Sequence, residues 1–251
     1  MSESHRSGSN QHEGNRYEDF LDILYEDNHC IAINKPVGWP TTHYNGREET
    51  IDRLVKSYIK EKYNKPGEVF LGVVHRLDKP VSGVLLFART SKSAARLSLQ
   101  FREHSIVKIY WAIIEGTLKP ECGTLHDWLS TPPDWQKEQR PITISPIETP
   151  ESKMAISAYQ IKATHQGLSW VELHPHTGRK HQLRVQMSQR GHAIYGDEKY
   201  GSNFSFGHGI ALHAHSLTFL HPIRQEPITL IANPPKNWLG RFAYLLHRQK
   251  Q

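Results

Sequence analysis

Between Gly72 and Phe87 the chain reads Gly-Val-Val-His-Arg-Leu-Asp-Lys-Pro-Val-Ser-Gly-Val-Leu-Leu-Phe. Two short apolar runs, Val73 with Val74 and Val84 to Phe87, flank a polar turn. Runs of β-branched and aromatic residues bounded by glycine predict strands. Any fold for this chain must therefore lead one strand into the segment from His75 to Gly83 and another out of it. Asp78, Pro80, Ser82 and Gly83 are turn formers, each for a different physical reason. The same turn carries Arg76 and Lys79 beside Asp78. Opposite charges nearby favour an ionised carboxylate, and an ionised carboxylate on a rigid turn is a candidate nucleophile or base. The ordinary alternative for Asp78 is a turn cap that accepts backbone N–H groups.

Other segments alternate irregularly between strand and helix patterns. Cys30 to Ile33 predicts a short strand stopped at Lys35-Pro-Val-Gly38. Ile51, Leu54, Val55, Tyr58 and Ile59 form one apolar stripe of a helix capped by Thr50. A second helix is expected from a Ser91 cap to about His104, with Ala94, Leu97 and Phe101 inward. Val107 to Gly116 predicts a strand with Tyr110 on the face opposite Trp111. The proline-rich stretch from Thr131 to Ser152 excludes a continuous helix or a central strand. It is expected to connect two halves of one sheet, with a small hairpin at Pro141 to Ile147. Strands resume at Met154 to Ala163 and Leu168 to His174. A helix is expected to begin at Thr177 and stop at Gly191, which would set Thr177, His181 and Arg184 on one face. That reading places Arg179, Lys180 and Arg184 at a helix start, where free N–H groups favour anions. Strands at Ser216 to Leu220 and Ile228 to Ala232 and a helix from Trp238 to Leu246 complete the chain. Many strands with few, irregularly placed helices define an α+β fold.

The 251 residues allow one large domain or two small ones. Met1 to Arg16 is polar throughout, reads as disordered and has no secretory apolar core. No apolar run reaches membrane-spanning length. Cys30 and Cys122 are far apart with no Cys-x-x-Cys partner, as expected of a cytoplasmic protein with reduced thiols. The net charge of +6 suits a polyanionic partner such as nucleic acid.

Four stretches together carry a resemblance. His75-Arg-Leu-Asp-x-x-x-Ser-Gly83, followed by an apolar strand, resembles the catalytic motif of the RluA-type pseudouridine synthases. Tyr25-Glu-Asp-Asn-His-x-x-Ala-Ile-Asn-Lys-Pro-x-Gly38 resembles that family's opening motif, and Lys108-x-Tyr-x-Ala112 a third. The most specific is Thr177-Gly-Arg-x-His-Gln-Leu-Arg184, continued by Gly191-x-x-Ile-x-Gly-Asp-x-x-Tyr-Gly201. The chain departs from the family in having Val81 where Thr is usual and Gln186 where His is frequent.

The resemblance implies a mixed, mostly antiparallel sheet with a central active-site cleft flanked by helices. It implies Asp78 as the catalytic residue, Arg184 as its ion-pair partner and Tyr110 as the ring that packs on the target base. Arg76 and Leu183 then line the substrate site, and the basic side chains of Arg179 and Lys180 hold phosphates. The expected substrate is uridine in rRNA or tRNA, isomerised without cofactor or metal and away from membranes. A disordered tail is expected over residues 1–19 and a catalytic domain over 20–247, with too few preceding residues for the S4-type RNA-binding domain that the family often carries. Two readings compete. His174-Pro-His176 and His213-Ala-His215 are pairs of the kind that bind zinc in metal-dependent hydrolases, and the chain could instead bind RNA without catalysing a reaction.

Overall fold

The computed structural model describes residues 21–42, 49–132 and 140–247. The tail expected over residues 1–19 lies outside them. Among the described residues, eleven strands make one sheet. They are β1 (Ile23–Glu26), β2 (Cys30–Lys35), β3 (Gly72–Val73), β4 (Ser82–Ala88), β5 (Val107–Glu115), β6 (Cys122–Ser130), β7 (Thr143–Ser145), β8 (Ser152–His165), β9 (Leu168–Pro175), β10 (Leu212–Leu220) and β11 (Pro227–Ile231). The order is β1-β2-β4-β10-β5-β9-β8-β6-β7, with β3 added to β4 and β11 to β10. Every pairing is antiparallel except β4 with β10.

That parallel seam joins the N-terminal strands to the C-terminal ones in the middle of the sheet, and it explains the Ser-Gly pair of the central motif. Ser82 aligns with His213 and Gly83 with Ala214. The buried Ser82 hydroxyl and His213 Nδ1 lie 2.8 Å apart. Gly83 has φ +115°, and a Cβ there would run into the Ala214 backbone. Only glycine permits so close an approach at such a dihedral angle.

Alternation builds the layers. Ile31, Ile33, Leu85 and Phe87 pack in one cluster with Ile51, Val55, Tyr58 and Ile59 of α1 (Ile51–Lys62). Cys30, Ala32, Val84 and Leu86 face the other way, toward Leu97 of α2 (Ser91–Arg102). β2 and β4 are thus apolar on both faces, because helices cover both sides of the sheet there. The β8–β9 hairpin turns at Gln166 and Gly167, both with positive φ (47° and 75°), the combination that matches strand twist.

Several sequence expectations are corrected. The cap of α2 is Thr90, whose hydroxyl accepts from Ser93 N–H, and Ser91 is already helical. Thr50 does sit at the cap of α1, but its hydroxyl bonds Asp52 rather than a backbone N–H. The proline-rich connector joins neighbouring strands, β6 and β8, rather than two halves of the sheet. The hairpin expected at Pro141 to Ile147 is instead one edge strand, β7, paired to β6. β6 has no counterpart among the strands expected from the sequence. The helix expected from Thr177 is α3 (Gln182–Ser188), which begins five residues later. α4 (Lys236–Leu246) closes the chain as expected, burying Trp238, Phe242 and Leu245.

Candidate active site

Asp78 stands on the loop between β3 and β4, and the opening motif braces that loop. Gly38 N–H donates to the Lys79 carbonyl at 2.9 Å. Thr41 Oγ1 donates to the Leu77 carbonyl at 2.9 Å and accepts from Leu77 N–H at 3.2 Å. Fully buried Lys35 donates from Nζ to the carbonyls of Pro36 (2.8 Å), Trp39 (2.9 Å) and Lys79 (3.3 Å). Burial pulls the Lys35 ammonium down to about 7, against the favourable charge of Asp78. Val81 N–H closes the turn onto the Asp78 carbonyl at 3.0 Å. The Val81 side chain is buried in the main core, so the residue replacing the usual Thr contributes packing instead of a hydroxyl.

Arg184, on α3, reaches this turn from the other end of the sequence. Its Nη1 lies 3.1 Å from Asp78 Oδ2. The rest of the guanidinium is clamped by Asp197, with Nε to Oδ2 at 2.6 Å and Nη2 to Oδ1 at 2.8 Å. Side-chain exposure is 6% for Arg184 and 1% for Asp197, against 29% for Asp78. The planar fork of arginine satisfies one carboxylate with two parallel bonds and keeps a third donor for the other. Burial opposes the arginine charge, but the bonds to Asp197 and the charges of Asp197 and Asp78 outweigh it and raise its pKa. The Arg184 guanidinium also lies over the Tyr200 ring, 4.9 Å from its centre.

The other expected residues divide. Tyr110 is half-buried against the core that contains Leu183. Its hydroxyl is raised first by burial and then by the Asp78 charge. Arg76 is exposed, and its charge acts on Lys180. Burial lowers Lys180 to about 8, with Arg76 and Lys199 adding to the effect and Asp78 opposing it. Arg179 and Lys180 sit on the loop before α3 and not in its first turn, which corrects the helix-start reading. Arg179 Nε donates to the Met154 carbonyl at 3.0 Å.

That loop is non-helical because Thr177 and Gln182 tie it to β8. Ile156 N–H donates to Thr177 Oγ1 at 2.9 Å, and Gln182 Nε2 donates to the Ile156 carbonyl at 3.0 Å and Ser157 Oγ at 2.8 Å. Gln186, at the position where histidine is frequent, donates to Asp127 Oδ2 at 2.8 Å. The paired histidines bond protein groups. His213 Nε2 and His215 Nδ1 each lie 3.0 Å from the Ala232 carbonyl, and His174 Nε2 lies 3.1 Å from Glu172 Oε1. Asp197, Lys35 and His181 were missed as site residues. Their signal lay inside quoted motifs, in Gly196-Asp197, Lys35-Pro36 and His181-Gln182.

The mixed, mostly antiparallel sheet is the fold of solved pseudouridylate synthase domains. The human RNA pseudouridylate synthase domain-containing protein 4 matches 90% of this chain and 93% of its own, at TM-score 0.76 and 26% identity. A family profile described as RNA pseudouridylate synthase matches residues 29–189. A dual-specificity RNA pseudouridine synthase RluA of Pasteurella multocida is 34% identical, over 86% of this chain and 94% of its own. A tRNA pseudouridine synthase C of Yersinia pestis is 34% identical, over 88% and 89% respectively. An uncharacterised RNA pseudouridine synthase of Synechocystis is 33% identical, over 91% and 70%. The chain belongs to the RNA pseudouridylate synthase family, in its RluA-type branch. It is accordingly an isomerase that acts on RNA. No helix among the described residues is long and apolar enough to cross a membrane.

Proposed function

We propose that the chain converts a uridine in structured RNA, tRNA or rRNA, to pseudouridine, with Asp78 as the nucleophile and residues 20–247 as the catalytic domain. The observation that carries the reading is the ion pair between Asp78 and Arg184, with Arg184 itself clamped by Asp197. Relatives named as a tRNA pseudouridine synthase and a ribosomal large subunit pseudouridine synthase supply the RNA classes. The reaction needs the N-glycosidic bond broken, the uracil turned and a C5–C1′ bond made. It consumes no redox equivalent and no donated group, so the reading invokes no cofactor. A base must leave its stack before such chemistry, and enzymes flip it into a pocket. Tyr110 then packs on the flipped ring and Leu183 lines the apolar side. Arg76 takes the vacated place or a phosphate, and Arg179 and Lys180 hold the backbone. Asp78 assists either by bonding C1′ as the base departs or by adding to the uracil ring.

Among the described residues, the side chains that meet Asp78 do so at Oδ2, through Arg184 Nη1 at 3.1 Å and His181 Nε2 at 3.6 Å. Among the described residues, Oδ1 accepts no bond and is the oxygen left for substrate. Asp78→Asn keeps the shape and removes the charge. Tritium release from C5-labelled uridine in the substrate RNA should vanish, while RNA affinity, carried mainly by phosphate contacts, survives. Appreciable turnover by Asp78→Asn would remove Asp78 from the mechanism.

A further inference from the structure

We propose that His181 is a positioning residue for Asp78: a neutral imidazole, locked by Tyr200 with its proton on Nε2, whose N–H steadies Asp78 Oδ2 and leaves Oδ1 to react. The inference rests on Asp78 being the nucleophile. The lock follows from one hydroxyl. Ile142 N–H donates to the Tyr200 oxygen at 3.0 Å, so that oxygen accepts there. The hydroxyl hydrogen still needs an acceptor, because Tyr200 is buried. Among the described residues the available acceptor is His181 Nδ1, at 2.7 Å. An Nδ1 that accepts carries no proton, so the proton of the neutral ring sits on Nε2. Nε2 is the atom facing Asp78, 3.6 Å from Oδ2. That separation is longer than a hydrogen bond, but donors of this kind often tighten only when substrate is bound.

Two further observations agree. His181 takes a left-handed backbone conformation, φ 53°, immediately before α3. A non-glycine residue held there is strained, and such strain collects where a side chain must be aimed. The charged and titratable groups around the ring are Asp78 from the turn, Arg184 from α3, Lys180 from the preceding loop, and Lys199 and Tyr200 from the short helical turn Glu198–Tyr200. Burial is the largest influence and lowers the imidazole to about 4; Arg184, Lys199 and Lys180 push the same way, and Asp78 opposes them. The ring is therefore neutral near physiological pH.

The benefit falls on the second half of the reaction. When Oδ1 bonds carbon, Asp78 loses its charge. When that O–C bond breaks, its electron pair returns to the carboxylate. Donors fixed on Oδ2, from Arg184 and His181, stabilise the returning charge and make Asp78 a better leaving group.

The first test is ¹⁵N NMR of the wild-type protein with labelled histidine near neutral pH. It should find His181 neutral, with Nδ1 unprotonated and Nε2 protonated; the opposite tautomer or an imidazolium overturns the proposal. The second is single-turnover kinetics. His181→Ala should slow the chemical step about 10–100-fold, the scale of one lost bond to a charged group, with RNA Kd unchanged. His181→Gln, which can present an amide N–H from the same side, should recover part of that loss. The third is Tyr200→Phe, which unlocks the ring. Its deficit should shrink as pH falls from about 6 toward about 4, where the ring gains its second proton and imidazolium carries N–H on both nitrogens. A His181→Ala rate equal to wild type, or a Tyr200→Phe deficit that ignores pH, overturns the proposal. Turnover by Asp78→Asn would instead sink the nucleophile reading, and the tautomer result would stand apart from it.

Discussion

Asp197 was not singled out from the sequence, yet the aim of Arg184 at Asp78 depends on it. Asp197→Asn keeps the volume but replaces one acceptor oxygen by an NH₂ group that faces another donor. The two bonds at risk are 2.6 and 2.8 Å long, between side chains 6% and 1% exposed. Breaking a buried ion pair from one side costs about 3–5 kcal/mol, because the remaining charge stays desolvated. Here Arg184 keeps Asp78 at 3.1 Å, itself 29% exposed, which places the loss at the lower end, about 3 kcal/mol. For a chain of this size each kcal/mol moves Tm by about 2–4 °C, so the variant should melt roughly 6–12 °C below wild type. Calorimetry checks the shift, and single-turnover tritium release checks the aim. The rate should drop while RNA Kd holds, since the phosphate contacts proposed above fall to other residues, Arg179 and Lys180. Arg184→Met added to Asp197→Asn should recover much of the stability and none of the rate, because the unpaired buried charge has gone along with the partner of Asp78. An Asp197→Asn protein that melts with wild type would refute the claim that Asp197 carries the buried arginine.

Gly83→Ala should destabilise by at least about 1–3 kcal/mol, since it adds a Cβ at φ +115° against the Ala214 backbone in the parallel seam; a thermal melt indistinguishable from wild type would contradict this. Acid should also weaken the fold. Burial lowers His75 to about 3 and His181 and His213 to about 4, from an ordinary 6.5. Between those values the unfolded chain binds protons that the folded one refuses, so stability falls as pH drops from about 6.5 toward about 4, by up to about 1.4 kcal/mol per pH unit for each group. Glu26 and Asp27, whose folded pKa values are also depressed, act in the same direction at lower pH. Urea midpoints measured across this range should decline toward acid, and a constant midpoint would argue against buried neutral histidines.

What the sequence determined by itself was local. The short apolar runs at Cys30 to Ile33 and Val84 to Phe87 produced strands because such runs suit a sheet that is covered on both faces. The apolar stripe from Ile51 to Ile59 produced α1 for the corresponding helical reason. Asp78, Arg184 and Tyr110 were named from motifs, with no distance to relate them. Helical spacing, however, misread Thr177 to His181. Those residues carry no local signal against a helix; their loop is held by bonds to Ile156 and Ser157, some twenty-five residues earlier on β8. The cap of α2 went to Thr90 rather than Ser91 because a neighbouring residue of the same chemistry had the extended backbone that a cap requires. Only the tertiary structure brought residues 78, 184 and 197 within bonding distance, by setting β10 between β4 and β5. One carboxylate is left half-exposed and the other buried by that arrangement. The division between Asp78, the proposed nucleophile, and Asp197, its buried support, is a difference in solvent access, which exists only after folding.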